Sequence, residues 1–445
     1  MDKRVYQLNG RPALKDSFVF GLQHVVAMFV GNIAPVIIIC NALKLPMEAQ
    51  IKMIQLAMFV AGVATLFQLY PIGPVGAKLP IVMGTSFTFV PTAIAIGTKY
   101  SFAAVMGSCL ISGLVIAFFG LFLRSFRKYF SPVVIGTVVL SIGLSLLPVG
   151  MNYFAGGQGA ADFGSPSNLL LGFIVLAVVL YFSMFRKDSS SSAAILIGIL
   201  VGYIVAIPMG KLDITQIASA KWLSVPIPFE FGLEFHADAI ISMLIVFAIS
   251  AMETIGNVSA IALSGLNREI EDKELSGAVI ADAIGSSFAS IFGVLPNSAF
   301  GQNVSIIAMT KVINRFSIAT GAVILILGGL FPKVGSIIAI MPASVLGGAA
   351  IIMFAMIVIA GIKMITIEPL GNRESMIVAI ALGLGFGIGM VPGAIDVLPQ
   401  WAKMVFASSG VANAGMIAFA LNLLLPKENK ISNLEVSAVE AVKVS

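Results

Sequence analysis

Charge is what this 445-residue chain has least of: Asp, Glu, Lys and Arg make up 11% of it, against roughly 25% in soluble proteins. A soluble surface cannot be built from so few ionic groups. Cysteine is nearly absent too, with Cys40 and Cys109 both in or beside apolar runs, so neither a disulfide framework nor a cysteine metal site is encoded. They read as packing residues. There are two histidines, and no HExxH, GxSxG or clustered His and Cys, which removes the usual metal-dependent and nucleophilic enzymes and leaves no cofactor to expect. The net charge of +5 is scattered between apolar segments and forms no patch, so a nucleic-acid partner is not expected. What remains is apolar: 58% hydrophobic residues and a mean hydropathy of +1.03. Windows of about 20 apolar residues, enough to cross a bilayer, recur along the chain. The sequence is that of an all-α polytopic membrane protein.

Fourteen crossings are read, centred near residues 29, 60, 89, 111, 140, 176, 200, 250, 283, 305, 327, 352, 382 and 414. An even number places both termini on one side. With the termini cytoplasmic, 19 of the 26 Lys and Arg fall in inner connections and seven, Lys44, Lys52, Lys99, Lys211, Lys221, Lys333 and Lys403, fall outside. That asymmetry supports the count, because one missed helix would scramble it. Residues 150–167 and 210–236, rich in Gly, Pro or Ser, read as outer surface loops. The basic N-terminus precedes an apolar run that is too long, and too polar at Gln23 and His24, for a cleaved leader; none is expected.

The two halves look alike. AMFVGNIAPVI at 27–37 resembles AMETIGNVSAI at 251–261, and LPIVMGTSFTF at 79–89 occupies the place of LPNSAFGQNVS at 295–305. Seven spans per half is odd, so the copies enter the membrane from opposite sides: two inverted seven-helix repeats, as in secondary transporters. Spans 3 and 10 are interrupted by Pro80, Gly84 and Pro91 and by Pro296 and Gly301, predicting short extended segments. Non-helical backbone at that depth survives only beside protein or a watery cavity. A matched pair of breaks therefore points to a midplane site. Glu253, Asp282 and His24 are the ionisable groups read deep inside spans, and each is a functional candidate. For His24 and Asp282 a packing role stands beside a functional one. Asn257 shares a helix face with Glu253. A carboxylate (Glu253) opposite a carboxamide (Gln302), with Phe87 to cover an aromatic face, suits a flat heterocycle bearing alternating N–H and C=O groups.

Several ordered motifs then resemble the nucleobase/ascorbate transporter family: Gln23-His24, Gly84-Thr85-Ser86-Phe87, Glu253-Thr254-Ile255-Gly256, Ala281-Asp282 followed by Gly285, and the signature Gln302-Asn303-Val304-Ser305 through Thr310-Lys311. The resemblance implies a fourteen-helix fold, a homodimer in the lipid bilayer, and an elevator movement. By it, the chain divides into a cytoplasmic tail (1–16), a core domain (17–123 and 237–341), a gate domain (124–210 and 342–426), an extracellular loop (211–236) and a second cytoplasmic tail (427–445). It also implies that Glu253 and Gln302 hold a base with their side chains while Phe87 and Gly301 lend backbone groups. Gln in the first signature position is typical of xanthine and urate carriers, Glu of uracil carriers and Pro of ascorbate carriers. The expected function is therefore a purine permease of the xanthine or uric acid type in a plasma membrane, the lack of long tails suiting a bacterial inner membrane. His24, Gln23, Asn257, Asp282, Asn303, Ser305 and Thr310 are expected to support the site or its coupling.

Two positions depart from that pattern. Ser305 replaces the signature glycine, and Asn257 stands where many purine members have an acid. An amide cannot titrate, so a proton would have to ride on Glu253, Asp282 or His24, with Na+ coupling or simple facilitation as alternatives. The remaining rival function is an anion carrier or channel of similar helix architecture, which would present helix ends or positive charge to its ligand.

Overall fold

The computed structural model describes residues 2–122, 131–186, 193–212, 215–395, 397 and 410–426. It is mostly helical. In order, the elements are α1 (Leu14–Ala42), α2 (Met47–Leu69), β1 (Met83–Thr85), α3 (Val90–Lys99), α4 (Phe102–Gly120), α5 (Pro132–Phe154), α6 (Pro166–Phe185) and α7 (Ala194–Ala206). The second half follows with α8 (Ala237–Leu266), α9 (Asp272–Ile291), β2 (Asn297–Ala299), α10 (Gly301–Thr310), α11 (Arg315–Gly328), α12 (Pro332–Ala339), α13 (Ala343–Ile365), α14 (Asn372–Ile380) and α15 (Gly410–Leu424). Local signals set many of these starts: Ser101, Ser131, Ser165 and Asn314 each accept a first-turn N–H, and Pro132, Pro166 and Pro332 sit where the helix needs no donor.

Seven helices among the described residues, α1, α2, α4, α5, α6, α8 and α13, are long and apolar enough to cross a bilayer by themselves. Of the other expected centres, the one near 283 falls on α9, which is 20 residues long but less apolar, and the rest fall on shorter or broken helices. The span expected around residue 327 is not one straight rod: α11 and α12 meet at 83°, because Gly328 and Gly329 end one helix and Pro332 begins the next. The tails from residue 427 onward and the 124–130 connection lie outside the described residues.

Two groups of helices result. In one, α1 packs along α11 and α2, and α4 packs along α8 and α9; in the other, α5 lies along α13, which also meets α6. The α5–α13 crossing is close because Gly361 has no side chain: a Cβ there would stand 2.4 Å from the Leu140 backbone nitrogen. At one end of the molecule Lys52 pairs with Glu230 and Lys99 with Asp238, while at the other Lys311 reaches the Ser264 carbonyl and Arg315 the Leu69 carbonyl. These four basic residues, two assigned to outer and two to inner connections, thus lie at opposite ends. At this second end the Arg4 guanidinium, hydrogen-bonded to Asp2, holds that carboxyl well below the usual carboxylate range.

The two interrupted spans meet in the interior. β1 and β2 pair antiparallel with Gly84 opposite Ser298, and Ser86 N–H to Pro296 O and Phe300 N–H to Val82 O extend the ladder. A two-stranded ribbon has two bare edges, and in hydrocarbon each unpaired backbone group costs several kcal/mol. Side chains from the surrounding helices cap those edges. On β1, Met83 N–H donates to Thr65 Oγ1 of α2 at 2.9 Å and Thr85 N–H to Asn32 Oδ1 of α1 at 2.7 Å. On β2, Ser286 of α9 both accepts from Asn297 N–H (3.0 Å) and donates to Asn297 O (2.9 Å), and Asn257 of α8 donates to Ala299 O at 2.8 Å. The Phe300 ring then fits between Gly31 and Gly84, at each of which a Cβ would lie 2.7 Å from a ring carbon.

Ser286→Ala should strip the partner from two buried backbone groups of β2, at a cost of about 1–3 kcal/mol for each. A lowered unfolding midpoint of the purified protein in detergent is the expected result; an unchanged midpoint would mean the ribbon edge is not held by this hydroxyl.

Candidate functional site

Each strand of the ribbon runs straight into a short helix. After Thr85 the chain makes a single turn at Phe87–Phe89, where the Ser86 hydroxyl accepts from Thr88 N–H, and then α3 begins; after Ala299, α10 begins at Gly301. Both helices carry partial positive charge at these starting ends. The Phe87–Thr88 turn that leads into α3 and the start of α10 open onto one cleft of about 700 Å³ between the ribbon, α8 and α10 on one side and α5 and α13 on the other.

Glu253, Gln302, Phe87 and Gly301, the four residues expected to touch a ligand, all line this cleft, and Asn257 joins them. Glu253 on α8 is half-buried and its Oε2 accepts from the Thr88 hydroxyl at 2.9 Å. Gln302 is exposed to the cleft in the first turn of α10. The Phe87 ring meets Phe354 of α13 edge to face, with centroids 5.2 Å apart, which seals the cleft on that side. Below, apolar residues from α5 and α13, among them Ile135, Val139, Met353 and Met356, complete the wall. Among the described lining residues Glu253 and Lys363 carry the only charges. The cleft thus offers a carboxylate and a carboxamide in a largely apolar surround, the donor and acceptor set of a planar polar ligand.

Apart from Asn257, the supporting residues lie outside the lining. Asn303, one residue past Gln302, turns its Nδ2 to His24 Nδ1 (2.9 Å) and to the His24 carbonyl (3.0 Å). The imidazole therefore accepts at Nδ1 and keeps its proton on Nε2, and the pair pins α10 to α1. Gln23, one residue before His24, is half-buried on α1 and does not line the cleft. Asp282 on α9 is buried, and its Oδ2 accepts from the Thr254 hydroxyl of α8 at 2.9 Å, directly behind Glu253. It bridges two helices. Thr310 bonds back to the Ile306 carbonyl and receives Val312 N–H, so it closes the end of α10 away from the cleft. Ser305 lies in α10 with its side chain outside the described residues. Thr88 and Lys363, not singled out from the sequence, also belong to the cleft. Thr88 adjoins Phe87 in the interrupted span, which was its signal; Lys363 had none beyond its place at the end of an apolar run.

The fold and this cleft define a membrane permease, and the comparisons say which one in kind. Residues 15–394 match the permease family that includes xanthine and uric acid carriers (Xan_ur_permease). The chain belongs to that family, the nucleobase/ascorbate transporters. It is 37% identical to the xanthine permease of Bacillus subtilis, over 94% of this chain and 95% of that one. The uric acid permease PucK of the same species is also 37% identical, with 91% and 94% covered, and the xanthine permease XanQ of Escherichia coli is 34% identical, with 95% and 94% covered. Among solved structures, the transmembrane domain of the cyanobacterial bicarbonate transporter BicA superimposes with a TM-score of 0.58 over 88% of this chain and 97% of that domain, at 17% identity. The murine anion transporter Slc26a9 in its inward-facing state gives 0.59 over 93% and 68%, at 12% identity. Those two matches speak for the fold alone.

Asn303→Ala removes the only amide reaching His24 among the described residues, leaving the buried imidazole Nδ1 without its donor and the His24 carbonyl with its helical partner alone. The unfolding free energy should fall by about 1–3 kcal/mol in a denaturant titration, and wild-type stability in the variant would show that the Asn303–His24 contact does not hold α10 to α1.

Proposed function

We propose that this protein is a secondary transporter for oxidised purine bases of the xanthine and uric acid type. The observation that carries the proposal is the convergence, on one cleft, of the Glu253 carboxylate and the Gln302 carboxamide with the Phe87 ring, the turn leading into α3 and the start of α10. Glu253 accepts ring N–H groups of the base. Gln302 supplies two donors and an acceptor in one plane, Gly301 and Phe87 lend backbone groups, and the Phe87 ring borders the heterocycle. The names of the relatives, permeases for xanthine and for uric acid, support the same substrate class.

The packing supports two inverted repeats, since α1 on α11 and α4 on α8 are the same exchange made twice, and β1 on β2 lies between them. In this reading the core comprises 17–123 and 237–341 and the gate 124–210 and 342–426. The core carries the base past the gate in an elevator movement, with gates paired in a homodimer, both termini cytoplasmic and the protein in a plasma membrane. The conformation fits the inward-facing stage. The cleft opens toward Leu263, Lys363 and Ile367, near connections assigned to the cytoplasm, whereas Asn41 with Tyr153 (3.1 Å) and Tyr203 with Ile337 O tie the two groups at the other end. Proton symport is the coupling we adopt, with Glu253, Asp282 or His24 as carrier; sodium coupling and facilitated diffusion are outcomes of the test below.

Xanthine and uric acid should stabilise the purified protein in a thermal-shift series that also includes uracil, guanine, ascorbate and sulfate. Glu253→Gln should lower base affinity by about tenfold or more, the cost of losing a charged acceptor from a buried pair. Stabilisation by sulfate with none by any base, or wild-type affinity in Glu253→Gln, would overturn the proposal. Uptake into proteoliposomes driven by an inward proton gradient is expected; uptake indifferent to that gradient excludes proton coupling, and a response to a sodium gradient assigns sodium instead.

A further inference from the structure

Asn257 does more in this structure than border the cleft. Its Nδ2 donates 2.8 Å to the Ala299 carbonyl, the last edge acceptor of the ribbon before the chain switches into α10. Its Oδ1 faces Gly301 closely enough that a Cβ on that glycine would lie 3.4 Å away. One side chain on α8 therefore spans the break between β2 and the helix that presents Gly301 and Gln302. It does so one helical turn from Glu253, on the same face.

The chemistry of that contact is one-sided. A carbonyl oxygen can only accept, so whatever stands at position 257 has to donate. A carboxamide donates at every pH, whereas a carboxyl group donates only while it holds its proton and, once ionised, sets two acceptors against a third. We infer that Asn257 is a positioning residue, a proton-independent latch that fixes the start of α10, and with it Gln302, whatever the protonation of the rest of the cleft. A carboxyl group at this position would turn the latch into one closed by protonation and released by its loss. Base binding in this protein is thus uncoupled from proton binding at position 257, and any transported proton resides elsewhere.

The charged and titratable groups near Asn257 are few. Glu253 lies on its own helix and Lys363 faces the cleft from α13. Asp282 of α9 stands behind Thr254, and His24 of α1 is reached through Asn303 of α10. The lining residues contributed by α5, the ribbon and α10 carry no titratable group. None of these differs between the wild type and an Asn257 variant. Dividing the xanthine affinity of a variant by that of the wild type at each pH therefore cancels the titration of the ligand and leaves what position 257 itself adds, including its coupling to Glu253 one helical turn away.

The test is Asn257→Asp alongside Asn257→Leu, with xanthine binding measured by calorimetry from pH 5 to 8.5. The inference rests on the base-site reading above, so the unfolding midpoint without ligand is recorded on the same samples. For Asn257→Asp the affinity ratio should stay within about twofold of one at the acid end and fall by about tenfold toward the alkaline end, as a buried acceptor loses its donor. The ligand-free midpoint should fall in parallel. Asn257→Leu, of similar size and with no donor, should bind about tenfold more weakly at every pH. A pH-independent ratio for Asn257→Asp, or wild-type affinity in Asn257→Leu, would overturn the latch. If the wild type binds no base at all, the substrate reading fails, and the midpoints alone decide the latch: an alkaline loss confined to Asn257→Asp supports it, parallel curves refute it. Should Asn257→Asp not fold, Asn257→Leu against the wild type carries the decision.

Discussion

Everything around the cleft follows from one constraint: two stretches of extended backbone lie where no water can satisfy them. A helix closes its own hydrogen bonds, but β1 and β2 can satisfy only their facing edges by pairing with each other. The outer edges fall to the neighbouring helices. Thr65, Asn32, Ser286 and Asn257 come from α2, α1, α9 and α8 respectively, and each gives a hydroxyl or amide to a strand edge. The ribbon in turn ties those four helices into one assembly. Remove the breaks and these polar residues have no reason to be buried; remove the residues and the breaks cannot exist.

This divides the polar residues around the ribbon into two kinds. Those that complete the backbone are committed, and their partners are fixed in the protein. Those left over, Gln302 in the first turn of α10 and Glu253 beside Thr88, direct their remaining hydrogen-bonding capacity at the cleft. In the proposed function selectivity would follow from that capacity, because a ligand that fails to match it leaves polar groups unpaired. The same division explains why His24, Asp282 and Asn303, though polar and buried, do not line the cleft: each has its partner in a neighbouring helix.

How much of this the sequence discloses depends on the kind of signal. Composition and apolar windows announce a membrane protein, and the paired Pro and Gly interruptions near residues 80–91 and 296–301 announce the breaks, because both are properties of single segments. Glu253, Gln302, Phe87 and Gly301 were legible from the rarity of polar groups in apolar runs together with the motif resemblance. The ribbon's edge partners were not. Asn32, Thr65 and Ser286 are ordinary polar residues within helices, and only the three-dimensional approach of four helices gives each a carbonyl or N–H to meet. The 83° bend between α11 and α12 was hidden for a related reason. Gly328-Gly329 and Pro332 mark a place where a helix can break, but the direction taken depends on packing against α2.

The uneven distribution of polar contacts also bears on movement. The ribbon assembly is held together internally by hydrogen bonds between buried groups, which are costly to break in a low-dielectric interior. Its contact with α5 and α13 across the cleft is made largely by apolar side chains, Phe87 on Phe354 among them. Apolar surfaces can slide past one another without leaving a donor or acceptor stranded, whereas a hydrogen-bonded seam has to be broken and remade. The elevator movement proposed above would follow the softest direction of this packing, displacement of the whole ribbon assembly against the α5–α13 wall, with Glu253 and Gln302 travelling together. The geometry that a ligand selects would then survive the movement that carries it.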